Sequence, residues 1–225
     1  MSISENLLIF DCDGVLVDSE VLAVKAEESV LADAGFPMTA AEIVDSCVGL
    51  SDAAMIALLE ERFSKPVPDG LAQKLKEEAI SLFPTELREV PGMSDFLSSS
   101  DQPRCIASSG TPERIALSLG ITKLDELFEA DAIFSATMVV NGKPAPDLFL
   151  HAASQMGFAP QNCIVIEDSP HGVAAARAAG MDVVALTAGG HMGEGILAKL
   201  TAAEPTLTVA TTGELALAIE QLTAN

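Results

Sequence analysis

The chain has 225 residues, of which 49% are hydrophobic; 33 Asp and Glu against 12 Lys and Arg leave a net charge of −21. That length suits one large or two small domains able to bury a sizeable core, and the acidic balance excludes nucleic acid and anionic membrane as partners. No apolar run approaches the ~20 residues that span a bilayer. Glu5 and Asp11 bracket the first apolar run, where a secretory signal would carry basic residues, so the expected location is cytoplasmic.

The first apolar run, Leu7 to Phe10, reads as a buried strand. It ends in Asp11-Cys12-Asp13-Gly14. Side chains i and i+2 leave a strand by the same face, so Asp11 and Asp13 converge. Two carboxylates side by side need a shared proton or a cation, and a hard divalent ion with oxygen ligands is the simplest relief. Taken alone, the pair also reads as an acidic turn. Cys12 points the other way and is expected to be a buried apolar residue. The four cysteines (Cys12, Cys47, Cys105, Cys163) form no CxxC pair, which argues against a zinc or disulfide framework.

After Ser19 the period becomes helical, with Leu22, Ala26 and Val30 on one stripe and Gly35 as the stop. Thr39 to Glu42 reads as a capping box. Val48-Gly49-Leu50-Ser51 is a turn, and Ser51 is placed to cap a helix through Leu59. Pro66 and Pro68 break the chain, and a further helix is predicted from Gly70 to Phe83, ending before Pro84. Residues 19–86 thus read as an all-helical insert.

From Val90 onward strands and helices alternate. Arg104 to Ala107 is a strand ending in Ser108-Ser109-Gly110. Thr111-Pro112-Glu113 opens a helix that Gly120 is expected to close. Pro146 opens a helix from Asp147 to Met156, closed by Gly157. Cys163 to Ile166 is a strand ending in Glu167-Asp168, followed by an alanine-rich helix to Gly180. Val183 to Leu186 is a strand, Leu207 to Val209 a weak one, and a last helix starts near Thr212. Such alternation predicts an α/β fold with a doubly wound parallel sheet, formed by residues 1–18 and 87–225, with 19–86 inserted. In that architecture ligands bind beyond the carboxyl ends of the strands, where every polar cluster named here lies.

Four of these clusters carry chemistry. A carboxylate such as Asp11 can attack phosphorus, and a second carboxyl such as Asp13 can protonate the leaving oxygen and then activate water. Ser108 and Ser109, with free amides at the turn, suit a phosphoryl oxygen, although alone they also read as a helix cap. Lys143, between Gly142 and Pro144, is a cation held by a stiff loop and suited to neutralise a phosphoryl group. Glu167 and Asp168, at a strand end, are partners for Asp11 in a carboxylate-rich metal site, although acidic residues are also common at helix starts.

Together and in this order, the clusters resemble the haloacid dehalogenase superfamily of Mg-dependent phosphotransferases. DCDGVLVDSE is similar to its first motif, Ser108 to its second, the lysine of GKPAPDLF to its third and VIEDSPHGVAAARAAGM to its fourth. The resemblance implies a Rossmann-like core with a helical cap. It implies Asp11 as nucleophile and Asp13 as general acid and base. Mg²⁺ would be held by Asp11, the Asp13 carbonyl and Asp168, with Glu167 as a further or water-mediated ligand. Ser108 and Lys143 would hold the transferring group. The presence of Asp13 argues against halide displacement.

The nearest subgroup resembles β-phosphoglucomutase and its phosphatase relatives. In the mutases an arginine follows the Gly-x-Ser cap loop, whereas here Asp52 follows Ser51. Their cap-hinge histidine falls near Ala23, and their lysine segment after the second-motif serine is here Gly110-Thr111-Pro112. A phosphonate-cleaving relative would need a Schiff-base lysine early in the cap, where only the mid-helix Lys25 stands. Water is therefore the expected acceptor, and a small phosphorylated metabolite, a sugar or sugar-acid phosphate, the expected substrate. The mutase is the alternative. A receiver-like phosphoacceptor switch fits the DxD spacing and the insert less well. Glu20, Gly49, Leu50 and Ser51 are the candidate specificity residues, although hinge and cap structure would use them equally. His171 is expected at a helix start beside the fourth motif, His151 packed in a helix and His191 in a mobile glycine-flanked loop.

Overall fold

In the computed structural model, which describes residues 6–223, one parallel sheet of six strands runs in the order β3-β2-β1-β4-β5-β6. The strands are β1 (Leu7–Phe10), β2 (Arg104–Ser108), β3 (Ile133–Ser135), β4 (Cys163–Glu167), β5 (Asp182–Leu186) and β6 (Leu207–Val209). β1 is central: Ile9 lies opposite Cys105 of β2 and Val165 of β4. The chain winds one way from β1 to β3 and then the other way from β4 to β6, so the order reverses beside β1. A ligand crevice is expected at that reversal.

Both faces of the sheet are covered, which is why its strands read as continuous apolar runs. Leu8 and Phe10 pack on one side with Phe96 of α5 (Met93–Ser98), Leu119 of α6 (Pro112–Thr122) and Leu215 of α10 (Thr212–Thr223). Leu7 and Ile9 pack on the other with Phe149 of α7 (Asp147–Met156) and Val173 of α8 (Pro170–Ala178). Cys12 joins the first layer and is buried, opposite in face to its acidic neighbours.

Between β1 and α5 lie α1 (Ser19–Asp33), α2 (Ala40–Ser46), α3 (Asp52–Phe63) and α4 (Leu71–Glu86), around a separate cluster built on Leu31, Phe36, Ile43 and Leu59. The two chain passages joining this insert to the sheet run side by side. Asp18 N–H donates to the Arg88 carbonyl at 2.9 Å, and Val90 N–H donates to that of Leu16 at 2.9 Å. The capping box forms as expected, with Thr39 accepting from Glu42 N–H and the Glu42 carboxylate accepting from Thr39 N–H.

Several boundaries differ from the sequence reading. α4 runs through Pro84 to Glu86. Proline removes one N–H near the end of the helix, but Phe83 is fully buried and its carbonyl accepts from Leu87 N–H, which carries the ladder past it. α6 passes Gly120 and stops at Lys123, whose φ is +61°. β3 and α5 escaped notice because three and six residues are too few to display a period. α9 (Glu194–Ala202) was hidden by its glycine-rich approach. Those glycines answer to packing: a Cβ on Gly193 would stand 2.7 Å from Val44 of α2, and one on Gly195 would stand 3.3 Å from the Asp45 carbonyl oxygen.

Candidate active site

Three strand ends build the site. Asp11 follows β1, and its N–H donates to the Ile166 carbonyl at 3.0 Å, so the strand geometry continues into the acidic turn. Gly14 then takes φ +77°. A Cβ there would lie 1.8 Å from Asp168 Oδ2, so only glycine lets this turn meet the end of β4. Ser108 ends β2, where its hydroxyl accepts from Gly110 N–H at 3.0 Å and shapes the turn into α6.

Lys143 arrives on the loop before α7 and is almost fully buried. Its ammonium donates to Asp11 Oδ1 at 2.9 Å and to Glu167 Oε1 at 2.7 Å. Glu167 Oε2 accepts from Asp168 N–H, Ser169 N–H and the Ser169 hydroxyl at 2.8, 2.8 and 3.0 Å. Glu167 is thus fixed as a buried brace behind the cleft. Asp13 Oδ1 accepts from the Ser19 hydroxyl at 2.5 Å and from Arg114 Nη2 at 3.0 Å.

A cavity of about 510 Å³ opens between these strand ends and the helical insert. Asp11, Asp13, Ser108, Ser109 and Asp168 line it, as do Glu20, Gly49 and Leu50 from the insert. Lys143 and Glu167 stand behind that wall, joined to it through Asp11 and Asp168. Ser51 lies outside the lining, and its hydroxyl instead caps α3 by accepting from Ala54 N–H at 3.2 Å. His171 is exposed on the cavity rim, and His151 packs edge-on to Phe134.

Three ionisable cleft residues were missed from sequence, among them Lys199 of α9, which lines the cavity. Arg114 reaches in from the first turn of α6; only its place four residues beyond Gly110 hinted at it. His191, expected to be mobile, is buried, with Nε2 3.1 Å from Asp168 Oδ2. Gly189 allows this: a Cβ there would stand 2.7 Å from the imidazole.

The electrostatics point to a cation. Burial pushes the Asp11 carboxyl well up against the pull of Lys143, and the charges of Glu167 and Asp168 push the same way. Burial also raises Asp168, with Glu167 and Glu20 adding to it. For Lys143 burial acts downward, but Asp11 and Glu167 outweigh it and hold the ammonium charged. Oxygens of Asp11, Glu167 and Asp168 lie within 4.8 Å of one another. One ammonium does not balance three buried carboxylates, so this hard-oxygen set fits a divalent ion.

A second recess, about 210 Å³, lies deeper in the insert and shares Glu20, Gly49, Leu50 and Arg114 with the first. Glu27 lines it, and burial, with the nearby Glu20 charge, lifts its carboxyl from 4.5 to about 7. The folded state therefore holds this proton more tightly than the unfolded chain. Its stabilising contribution is full below a pH of 4.5 and is lost as pH rises through about 7. Glu27→Gln is expected to stabilise the protein by on the order of 2–3 kcal/mol at about pH 8 and by much less at about pH 5. Urea unfolding at the two pH values checks this; equal gains at both would contradict it.

The family model of haloacid dehalogenase-like hydrolases matches residues 8–186. The chain is 30% identical to 6-phosphogluconate phosphatase of Escherichia coli over 82% of its length and 83% of that protein's. It is 33% identical to fructose-1-phosphate phosphatase YqaB of the same organism, over 79% of this chain and 94% of the relative. A conserved haloacid dehalogenase-like protein of Agrobacterium tumefaciens superposes with a TM-score of 0.90 at 33% identity, covering 96% of this chain and 98% of that one. The chain belongs to the haloacid dehalogenase-like hydrolases. Both of the Escherichia coli relatives are named as phosphatases, which places the chain with the family's phosphomonoester hydrolases.

Proposed function

We propose that the protein is a Mg²⁺-dependent phosphatase of a small phosphorylated metabolite, a sugar or sugar-acid phosphate, working through an aspartyl-phosphate on Asp11. The observation that carries this is the meeting of Asp11, Asp13, Ser108 and Asp168 at one cavity, with Lys143 behind them. The names of the two phosphatase relatives support the substrate class.

In the first step a carboxylate oxygen of Asp11 attacks phosphorus. The bond from phosphorus to the ester oxygen breaks, and Asp13 gives that oxygen its proton. Asp13 Oδ1 is occupied by Ser19 and Arg114, so Oδ2 is the oxygen left for proton transfer. In the second step Asp13 takes a proton from water, whose oxygen attacks phosphorus. The Asp11–phosphorus bond breaks, which restores both carboxyls and releases inorganic phosphate. Ser108, Ser109 and Lys143 orient the phosphoryl group and offset its charge. Mg²⁺, held by Asp11, the Asp13 carbonyl and Asp168 with Glu167 as a further or water-mediated ligand, would offset phosphoryl charge in the transition state. The insert, residues 19–86, acts as a cap that excludes bulk water and supplies specificity.

Arg114 holds Asp13 in place. Arg114→Ala is expected to lower kcat by roughly 10- to 100-fold, more than it changes KM. Steady-state kinetics check this; an unchanged kcat would remove Arg114 from the account. The function itself is tested by phosphate release from a panel of sugar phosphates with Mg²⁺ and with chelator. Release that needs Mg²⁺ is expected. Conversion of β-glucose 1-phosphate to glucose 6-phosphate without release, on priming with a bisphosphate, would favour the mutase.

A further inference from the structure

The deeper recess in the insert is not used by the chemistry above, and its polar groups are unusual. Glu27 Oε2 and Arg114 Nε are both buried without a hydrogen-bond partner. A buried carboxylate oxygen or guanidinium N–H without a partner is unfavourable unless a bound molecule supplies one. Both side chains line the recess, one carrying an orphan acceptor and the other an orphan donor. A hydroxyl is the group that both donates and accepts.

The charges of the recess point the same way. Its two cations are already matched: Lys76 Nζ lies 2.5 Å from Asp52 Oδ2, and Arg114 Nη2 lies 3.0 Å from Asp13 Oδ1. Glu20 and Glu27 have no such ion pair among the described residues and line the same recess. A second anion placed in this recess would meet these acidic groups with no unpaired cation among the residues lining it, since Lys199 lines only the first cavity.

Resting on the phosphatase reading, we propose that this recess receives the leaving-group end of the substrate and that Glu27 accepts a hydrogen bond from one of its hydroxyls. Neutral polyol or sugar monophosphates are therefore preferred over phosphates that carry a second anion, such as a sugar acid. This would set the chain apart from its 6-phosphogluconate-cleaving relative. Gln at position 27 keeps an acceptor but removes the charge. Leu removes both.

The test compares kcat/KM for fructose 1-phosphate, 6-phosphogluconate and p-nitrophenyl phosphate in the wild type, Glu27→Gln and Glu27→Leu. Ratios within each enzyme cancel any general loss of activity, and p-nitrophenyl phosphate has no aliphatic hydroxyl to offer. The wild type is expected to favour fructose 1-phosphate over 6-phosphogluconate by ~10-fold or more. Glu27→Gln is expected to narrow that ratio. Glu27→Leu is expected to lower fructose 1-phosphate relative to p-nitrophenyl phosphate by ~10-fold. Ratios that move in neither variant, with p-nitrophenyl phosphate still cleaved, overturn this inference alone. No cleavage of any phosphate by the wild type overturns the phosphatase reading and this inference with it.

Discussion

Asp11→Asn is expected to abolish phosphate release, by on the order of 10⁴-fold or more, while the protein still folds. The amide keeps the size of the side chain but is too weak a nucleophile to take the phosphoryl group. Folding survives because the substitution removes a carboxyl that burial already disfavours in its charged form. Lys143 keeps its second partner, Glu167, at 2.7 Å. Release measured beside a thermal melt separates the two effects. A folded Asp11→Asn enzyme within ~10-fold of wild type would remove Asp11 as nucleophile.

Gly172→Ala is expected to have the largest structural effect. Gly→Ala inside a helix ordinarily stabilises by roughly 0.5–1 kcal/mol. Here the sign reverses. A Cβ on Gly172 would lie 1.7 Å from Glu167 Oε1 and 1.9 Å from Cδ. Glu167 is fully buried and tied by Lys143, two backbone amides and the Ser169 hydroxyl, so it has nowhere to go. Either the helix start shifts or the brace behind Asp11 breaks. A loss of about 1–3 kcal/mol follows from overpacking alone, rising to about 3–5 kcal/mol where the buried Lys143–Glu167 pair breaks, together with loss of activity. Urea unfolding gives the answer, and a stabilised, active Gly172→Ala enzyme would contradict the packing described here.

Much of the architecture was legible because its physics is local. The run Leu7 to Phe10 is buried on both faces, and it ends where two carboxylates fall on one face. Thr39 and Glu42 cap a helix through side chains three residues apart. What stayed hidden depends on contacts distant in sequence. Arg114 is one arginine on an exposed-looking first turn until the fold sets it 3.0 Å from Asp13, 101 residues away. His191 looked mobile among glycines. Those glycines are what allow the imidazole to pack against Asp168. Ser51 showed its capping role and its place in a cavity-side turn together, and the structure places its hydroxyl in the cap alone. The orphan oxygen of Glu27 had no sequence signature at all, because a glutamate on a helix normally meets solvent.

The central claim is covalent transfer to Asp11. Its most direct test is an acid quench of the wild-type enzyme turning over a sugar phosphate with Mg²⁺, followed by peptide mass mapping. The account predicts one added phosphoryl group on the peptide carrying Asp11, absent from Asp11→Asn. A phosphoryl group on Ser108 instead, or steady turnover with none on Asp11 at any quench time, would contradict it.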